Sequence, residues 1–463
     1  MSIRAALAIV LLIIACFWTL RRPLVGVCLV IALFHLNLRV LGAGLEDIRF
    51  QFIATITLLL SYFMNREELL KVDAPLQPPL RWLFVFLGIC VITSAWAAVS
   101  PGKAFEDTFE FSKIVLFAWL MLRIVQTEKD LRIVIWVALI SVWYTAFMAR
   151  WGTDWGWIDE SEIGIATGGT GTHMMMFLPM LIIMAIFGSK WEKLGAYFII
   201  PFVLDFMPIT PEGHRATFLA MCTTVAFLFI FSPNRVRKKS IVPIVAGAVL
   251  FVFQLAPESY WEDMATILDP SAESSSASRG VINQASLEII ADYPWGIGYN
   301  NYSLVSLPYI PEEYLSNIGT RDAHNSYLKV ACEFGVVGFI VWMTIFFTTW
   351  LHFRKVRKTM TKDQPPTNLQ LYALAFELGL IGITLSIYTH NYNDLDTLYW
   401  FVALSCVVLN FHLREKDANP PPLPAPVRAP HEIVLERLKQ TQEAEALHSM
   451  PGTSILKTSF PNG

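Results

Sequence analysis

Residues 321–339 read RDAHNSYLKVACEFGVVGF: a histidine, an asparagine and a serine stand directly before an apolar run that continues to about residue 352. A membrane-spanning helix needs about 20 mostly apolar residues, somewhat fewer where flanking Lys, Arg and aromatic side chains reach the interface. The run from 334 to 352 meets that requirement, so the polar group carrying His324 lies at the mouth of a span, on one particular side of a membrane.

The rest of the chain supports this. Of its 463 residues 54% are hydrophobic and 13% aromatic, more apolar surface than a soluble core of this length can hide. Thirteen candidate spans are read near 5–20, 23–38, 51–64, 80–99, 109–125, 131–149, 172–188, 193–208, 216–232, 240–256, 334–352, 370–389 and 395–413, several of them short enough that twelve is an alternative count. The first run, AALAIVLLIIACFWTL, has the apolar core of a signal peptide but is followed by Arg21 and Arg22 instead of a small-residue cleavage site, and is read as retained. The fold expected is all-α: a polytopic helical membrane bundle of about 12–13 spans with one long, partly helical periplasmic loop.

Orientation follows from the basic residues, since cytoplasmic loops retain an excess of Lys and Arg. SPNRVRKKS carries Arg235, Arg237, Lys238 and Lys239, and HFRKVRKTMTKD carries Arg354, Lys355, Arg357, Lys358 and Lys362. With both inside, the stretch between them faces out. The chain then divides into an N-terminal transmembrane bundle (1–256), a periplasmic loop carrying the site residues (257–333), C-terminal transmembrane helices (334–413) and a flexible cytoplasmic tail (414–463) whose NPPPLPAPVRAP run resists regular structure. A net charge of −3 makes no case for nucleic acid, and six scattered cysteines without CxxC spacing, five of them (Cys16, Cys28, Cys90, Cys222 and Cys406) inside apolar runs, indicate neither a disulfide framework nor a zinc site. No metal and no cofactor is expected.

The outer loop has its own pattern. AESSSAS reads as linker; a helix then starts at Arg279, with Val281, Ala285 and Ile289 on one face, and stops at YPWGIG, where Pro294 and two glycines break the period. PEEYLSNIG reads as a short helix from Pro311 to Gly319, and a further helix from Ala323 to about Phe334, where Gly335 and Gly338 let the backbone turn or pack closely. Between spans eight and nine, the short loop MPITPEGHRATF places His214 and Arg215 outside, against the positive-inside tendency; at a helix start, a guanidinium and free amides converge on a site fit for an anion. Each residue has a plainer reading. A histidine at a helix start caps or packs, Arg215 snorkels to head groups, Arg279 is solvated, and THNYNDLDT with His390, Asp394 and Asp396 is local turn chemistry.

Taken together, HNSYLKVACEFGVVG, SRGVINQASLEIIADYPWGIGYNNY and GHRATFLA resemble three signature segments of the bacterial O-antigen ligase and polymerase superfamily. The resemblance covers 213–338. It departs in having His214, Arg215 and Ala216 where members often show Ser-Arg-Gly, and in thirteen spans where ligases usually have twelve. It implies a metal-independent membrane glycosyltransferase that moves a glycan from undecaprenyl diphosphate to an acceptor hydroxyl. His324 would be the catalytic base, Arg215 and Arg279 would hold the donor diphosphate, and Arg321, Asn325, Gly335, Gly338 and His214 would support them. The partners implied are the lipid-linked glycan donor, a glycan or lipid acceptor and the bilayer of the bacterial inner membrane, with the active face periplasmic. An O-antigen ligase acting on lipid A–core is the first reading; a polymerase of O-antigen or exopolysaccharide and a protein O-oligosaccharyltransferase share its donor chemistry. A transporter or flippase is the rival from another class. Transporters bury ionisable groups near the midplane, whereas here Asp205 and Glu377 are the main charges in the spans.

Overall fold

A computed structural model describes residues 3–36, 45, 48–152, 170–209, 214–265, 274–315, 321–361, 364–418 and 438–442. Among them the regular structure is helical. We number the principal helices α1 (Ile3–Arg21), α2 (Pro23–His35), α3 (Phe50–Met64), α4 (Pro78–Ala95), α5 (Pro101–Ile124), α6 (Glu128–Trp151), α7 (Thr170–Phe187), α8 (Lys190–Ile209), α9 (His214–Phe231), α10 (Asn234–Leu250), α11 (Glu258–Ala265), α12 (Ser274–Asp292), α13 (Ser326–Arg357), α14 (Asn368–Ser386) and α15 (Asp396–Ala418). Each candidate span from the hydropathy reading falls on one of these helices. Six of the described helices are long and apolar enough to cross a membrane on their own: α4, α6, α10 with its extension to Leu255, α13, α14 and α15. Five shorter apolar helices accompany them. The protein is an all-α, multi-pass membrane protein.

Its packing reflects a bilayer as solvent. α14 and α15 are apolar on every side and largely buried, whereas α10 turns Val242, Val245 and Phe253 outward and α1 does the same with Leu7, Leu11 and Ile13. Helices in lipid gain little from hiding apolar surface and rely on close approach. Gly379 of α14 shows this: a Cβ there would lie 2.2 Å from the Met176 carbonyl oxygen of α7.

Side-chain bonds sort the loops into two ends. At one end Asn65 Nδ2 donates to the Leu20 carbonyl (3.0 Å), Arg123 to Ala74 (3.0 Å), Gln126 to Leu69 (2.7 Å) and Gln77 to Asn410 Oδ1 (2.6 Å). Arg357 belongs here as well: it pairs with the buried Glu377 carboxylate and donates to the Phe231 carbonyl at 3.0 Å, so the two basic runs share this end. At the opposite end Ala98 N–H donates to Ile297 (2.9 Å), Ser100 N–H to Asn301 Oδ1 (2.8 Å) and Gln51 to Asp396 Oδ2 (3.1 Å). The alternation read from charge requires this arrangement of loops.

Some local readings change. Helix α12 begins at Ser274, so the serine-rich stretch taken for linker is partly helical. Its buried face is Ile282, Ala285 and Ile289, with Val281 at the edge. The short helix expected after Pro311 is a 3-10 turn, Glu312–Tyr314, capped by Pro311, and Gly319 lies outside the described residues. So do residues 210–213 of the Arg215 loop and all but a few residues of the expected flexible tail. Contacts divide the chain into two units, Met1–Leu413 and Arg414–Gly463.

Candidate active site

The site is built around a break in α13. Gly335 has φ 69°, which interrupts the helix and turns the carbonyls before it outward. The segment after α12 fills the gap. Ile297 N–H donates to the Cys332 carbonyl (2.9 Å), Gly298 N–H to Glu333 (3.0 Å), and Val336 N–H to the Pro294 carbonyl (3.1 Å). Groups freed by the kink are thus satisfied inside the protein. Such backbone contact leaves no room for side chains: a Cβ on Gly335 would lie 2.5 Å from the Pro294 oxygen, and one on Gly296, at φ 94°, 2.6 Å from the Glu333 oxygen. Gly338 packs beside Ile89 of α4, 3.4 Å from where its Cβ would stand. Two segments singled out in the sequence, PWGIG and EFGVVG, therefore interlock.

His324 sits two residues before α13. The helix expected from Ala323 begins instead at Ser326, because Asn325 takes the cap: its backbone is extended and its Oδ1 accepts from Tyr327 N–H (3.1 Å) and Leu328 N–H (3.3 Å). That leaves His324 outside the helix, exposed, at φ 45°, a left-handed conformation that few non-glycine residues adopt. A cap role for the histidine is thereby filled by its neighbour.

The turn between α14 and α15 completes this end. Ser326 N–H faces the carbonyls of Ile387 (2.9 Å) and His390 (3.1 Å), Ser326 Oγ donates to His390 O (2.6 Å), and Tyr392 N–H donates to Ser326 Oγ (2.8 Å). Tyr327 OH reaches the Thr384 carbonyl at 2.6 Å, and the His390 ring stacks on Tyr392 with centroids 5.0 Å apart. THNYNDLDT is a turn, as read, but one clamped onto the HNS sequence.

The arginines occupy different surroundings. α12 packs its buried face into one apolar cluster with Tyr302, Cys332 and Ala323, the residue before His324, and so carries an exposed Arg279 at the same end. Arg215 is the second residue of α9, half-buried; one turn on, Phe218 meets Tyr260 and Trp261 of α11 at 6.4 and 6.2 Å. The His214 side chain lies outside the described residues. Arg321 is half-buried, with a Nε that has no hydrogen-bond partner among the described residues and a carbonyl that accepts from Ser306 Oγ (3.3 Å).

Sequence reasoning missed the polar groups beneath the bend. Lys329 and Glu333 of α13 are buried, and Lys329 Nζ bonds Asp322 Oδ2 at 2.9 Å. The signal was present as Lys329 and Glu333, four residues apart in an otherwise apolar run. At the back of α12, Tyr309 OH donates to Asp292 Oδ2 (2.6 Å), and that anionic acceptor pushes the tyrosine up to about 12. No group of three or more His, Cys, Asp or Glu side chains among the described residues is placed to hold a metal ion.

No curated protein matches the chain. Residues 200–343 match the family model described as O-antigen ligase, a stretch that holds Arg215, Arg279, His324 and the Gly335 interlock. That match makes residues 200–343 similar to the O-antigen ligase family and supports membership of the O-antigen ligase and polymerase superfamily.

Proposed function

We propose that the protein transfers a glycan from undecaprenyl diphosphate to an acceptor hydroxyl at the outer end of the bundle, as an O-antigen ligase whose acceptor is lipid A–core. The observation that carries this reading is His324, exposed in a clamped left-handed bend at the head of α13 and within the O-antigen ligase match. In the step proposed, the acceptor oxygen bonds to the anomeric carbon as the bond from that carbon to the diphosphate oxygen breaks. The hydroxyl proton passes to the neutral imidazole of His324, and the electron pair leaves on the diphosphate. An imidazole, which titrates near neutrality, suits that proton transfer. Fixed cations offset the charge that develops on the leaving group; Arg215 and Arg279 fill that role, and Arg321, whose Nε has no partner among the described residues, is a third candidate for phosphate on either substrate.

On this reading the membrane is the bacterial inner membrane and the His324 end is periplasmic. In a cysteine-free background, cysteine at Glu313 should label with an impermeant reagent once the outer membrane is permeabilised, and cysteine at Lys358 should not. Labelling at Lys358 alone inverts the topology and removes the periplasmic site.

The activity itself is tested in proteoliposomes given a polyprenyl-diphosphate glycan and, in separate reactions, lipid A–core or a carrier-linked acceptor. Lipid A–core should gain sugar; gain by the carrier-linked chain alone would make the protein a polymerase. In the same assay Arg215→Ala and Arg279→Ala should each lose about a hundredfold in rate. The Lys variants should lose less because they keep the positive charge, yet stay below the parent because a point charge replaces a planar two-pronged donor. Parental rates for both Ala variants would refute the diphosphate assignment.

A further inference from the structure

The polar groups beneath the His324 bend connect four parts of the chain. Lys329 has 8% of its side chain exposed, and its Nζ lies 2.9 Å from Asp322 Oδ2 and 3.9 Å from Glu333 Oε1. It also donates to Asn300 Oδ1 at 3.3 Å. Asn300, itself at φ 55°, donates its Nδ2 to Asp107 Oδ2 of α5 at 3.0 Å. Glu333 is fully buried, beside the Lys329 ammonium and the Asn300 backbone. The links run from α5 through the 299–301 turn to the first turns of α13, and from there to Asp322, two residues before His324.

Burying charges in this way is a poor route to stability, because desolvation offsets the attraction and an apolar set of the same volume would pack as well. Its effect here is geometric. Asn325 and Ser326 hold the chain just after His324, through the cap and the clamp to the α14–α15 turn. Before His324, Ser306 Oγ holds the Arg321 carbonyl, and the Lys329–Asp322 bond joins the flank of the bend to the shaft of α13. We propose that Lys329 and Asp322 are positioning residues that fix the backbone of His324 at the point where the acceptor hydroxyl is deprotonated. The proposal rests on His324 being the base; neither residue touches substrate.

Asp322 is the better place to cut, since its side chain is 35% exposed and its loss leaves the Lys329–Glu333 pair in place. Asp322→Ala in proteoliposomes should keep the parental KM for the lipid-linked donor and lower kcat between about tenfold and a hundredfold, the size expected when a reacting group shifts by about 1 Å. Asp322→Asn, which retains an oxygen acceptor for Lys329, should recover most of that loss. In a His324→Ala background the same Asp322→Ala change should have no further effect on residual transfer, because a group that acts through the imidazole has nothing left to act on. Should Asp322→Ala fail to insert, Lys329→Met with Glu333→Gln, which removes cation and anion together, gives the same readout. A parental kcat for Asp322→Ala, or an equal loss in both backgrounds, overturns the positioning role and leaves the base assignment standing. A fully active His324→Ala protein overturns both.

Discussion

His324→Ala should insert, bind donor and transfer almost nothing, with the rate down by about 10²–10⁴, the usual contribution of a general base. Folding should survive because the residue is exposed and the helix start is capped by Asn325, so the substitution removes no cap and opens no cavity. His324→Gly sharpens the test: glycine suits a φ of 45° better than histidine does, so this variant should be at least as stable as the parent and equally inactive. Asn325→Ala should do the reverse, costing about 1 kcal/mol of stability through the lost cap with a milder loss of transfer. Parental activity should also fall on acidification, as the imidazole takes up the proton it must be free to accept. Full activity in His324→Ala and His324→Gly would falsify the catalytic assignment.

Gly335→Val should be the most disruptive single change at the outer end. A β-branched residue at φ 69° is strained by about 1–3 kcal/mol before any contact is counted. Its Cβ would also meet the Pro294 oxygen at 2.5 Å and the Trp295 carbonyl carbon at 2.6 Å, both backbone atoms that cannot swing aside. Relief means lifting 294–298 off the kink and giving up the bonds at Ile297, Gly298 and Val336, each worth about 1 kcal/mol net. The expected loss is roughly 4–6 kcal/mol in all, read as a large drop in the detergent-solubilised protein's unfolding midpoint together with abolished transfer. Gly88→Ala is the control, since a methyl there meets nothing within 4 Å and should be silent. A Gly335→Val protein as stable and active as the parent would show that the interlock does not hold the site.

Hydropathy was enough to locate the spans, because in a bilayer the backbone must satisfy itself and a long apolar run has little choice but helix. The breaks were legible for a related reason: Gly335, Gly296 and Pro294 are residue types that punctuate a chain. Where α13 begins was not, since Ala323, His324 and Asn325 differ little in local preference and the start is settled by which side chain reaches the free amides. Nor could the sequence tell that the turn around His390 clamps Ser326, 64 residues away in the chain. Lys329 and Glu333 could have been flagged as out of place in an apolar run, but their partners Asp322, Asn300 and Asp107 are brought together only by the fold.

The clamp and the interlock also set an order of biogenesis. A membrane protein is threaded into the bilayer from its N-terminus, and His324 leaves the ribosome with its fastenings incomplete. Ala98, which binds Ile297, has long been in place by then, whereas Ile387, His390 and Tyr392, which grip Ser326, are still to be synthesised. Until α14 has crossed and the chain has turned toward α15, the bend lacks its second hold. On the proposed assignment, a nascent chain stopped after α13 would carry every residue assigned to the chemistry yet lack the clamp on Ser326 that holds the chain beside His324.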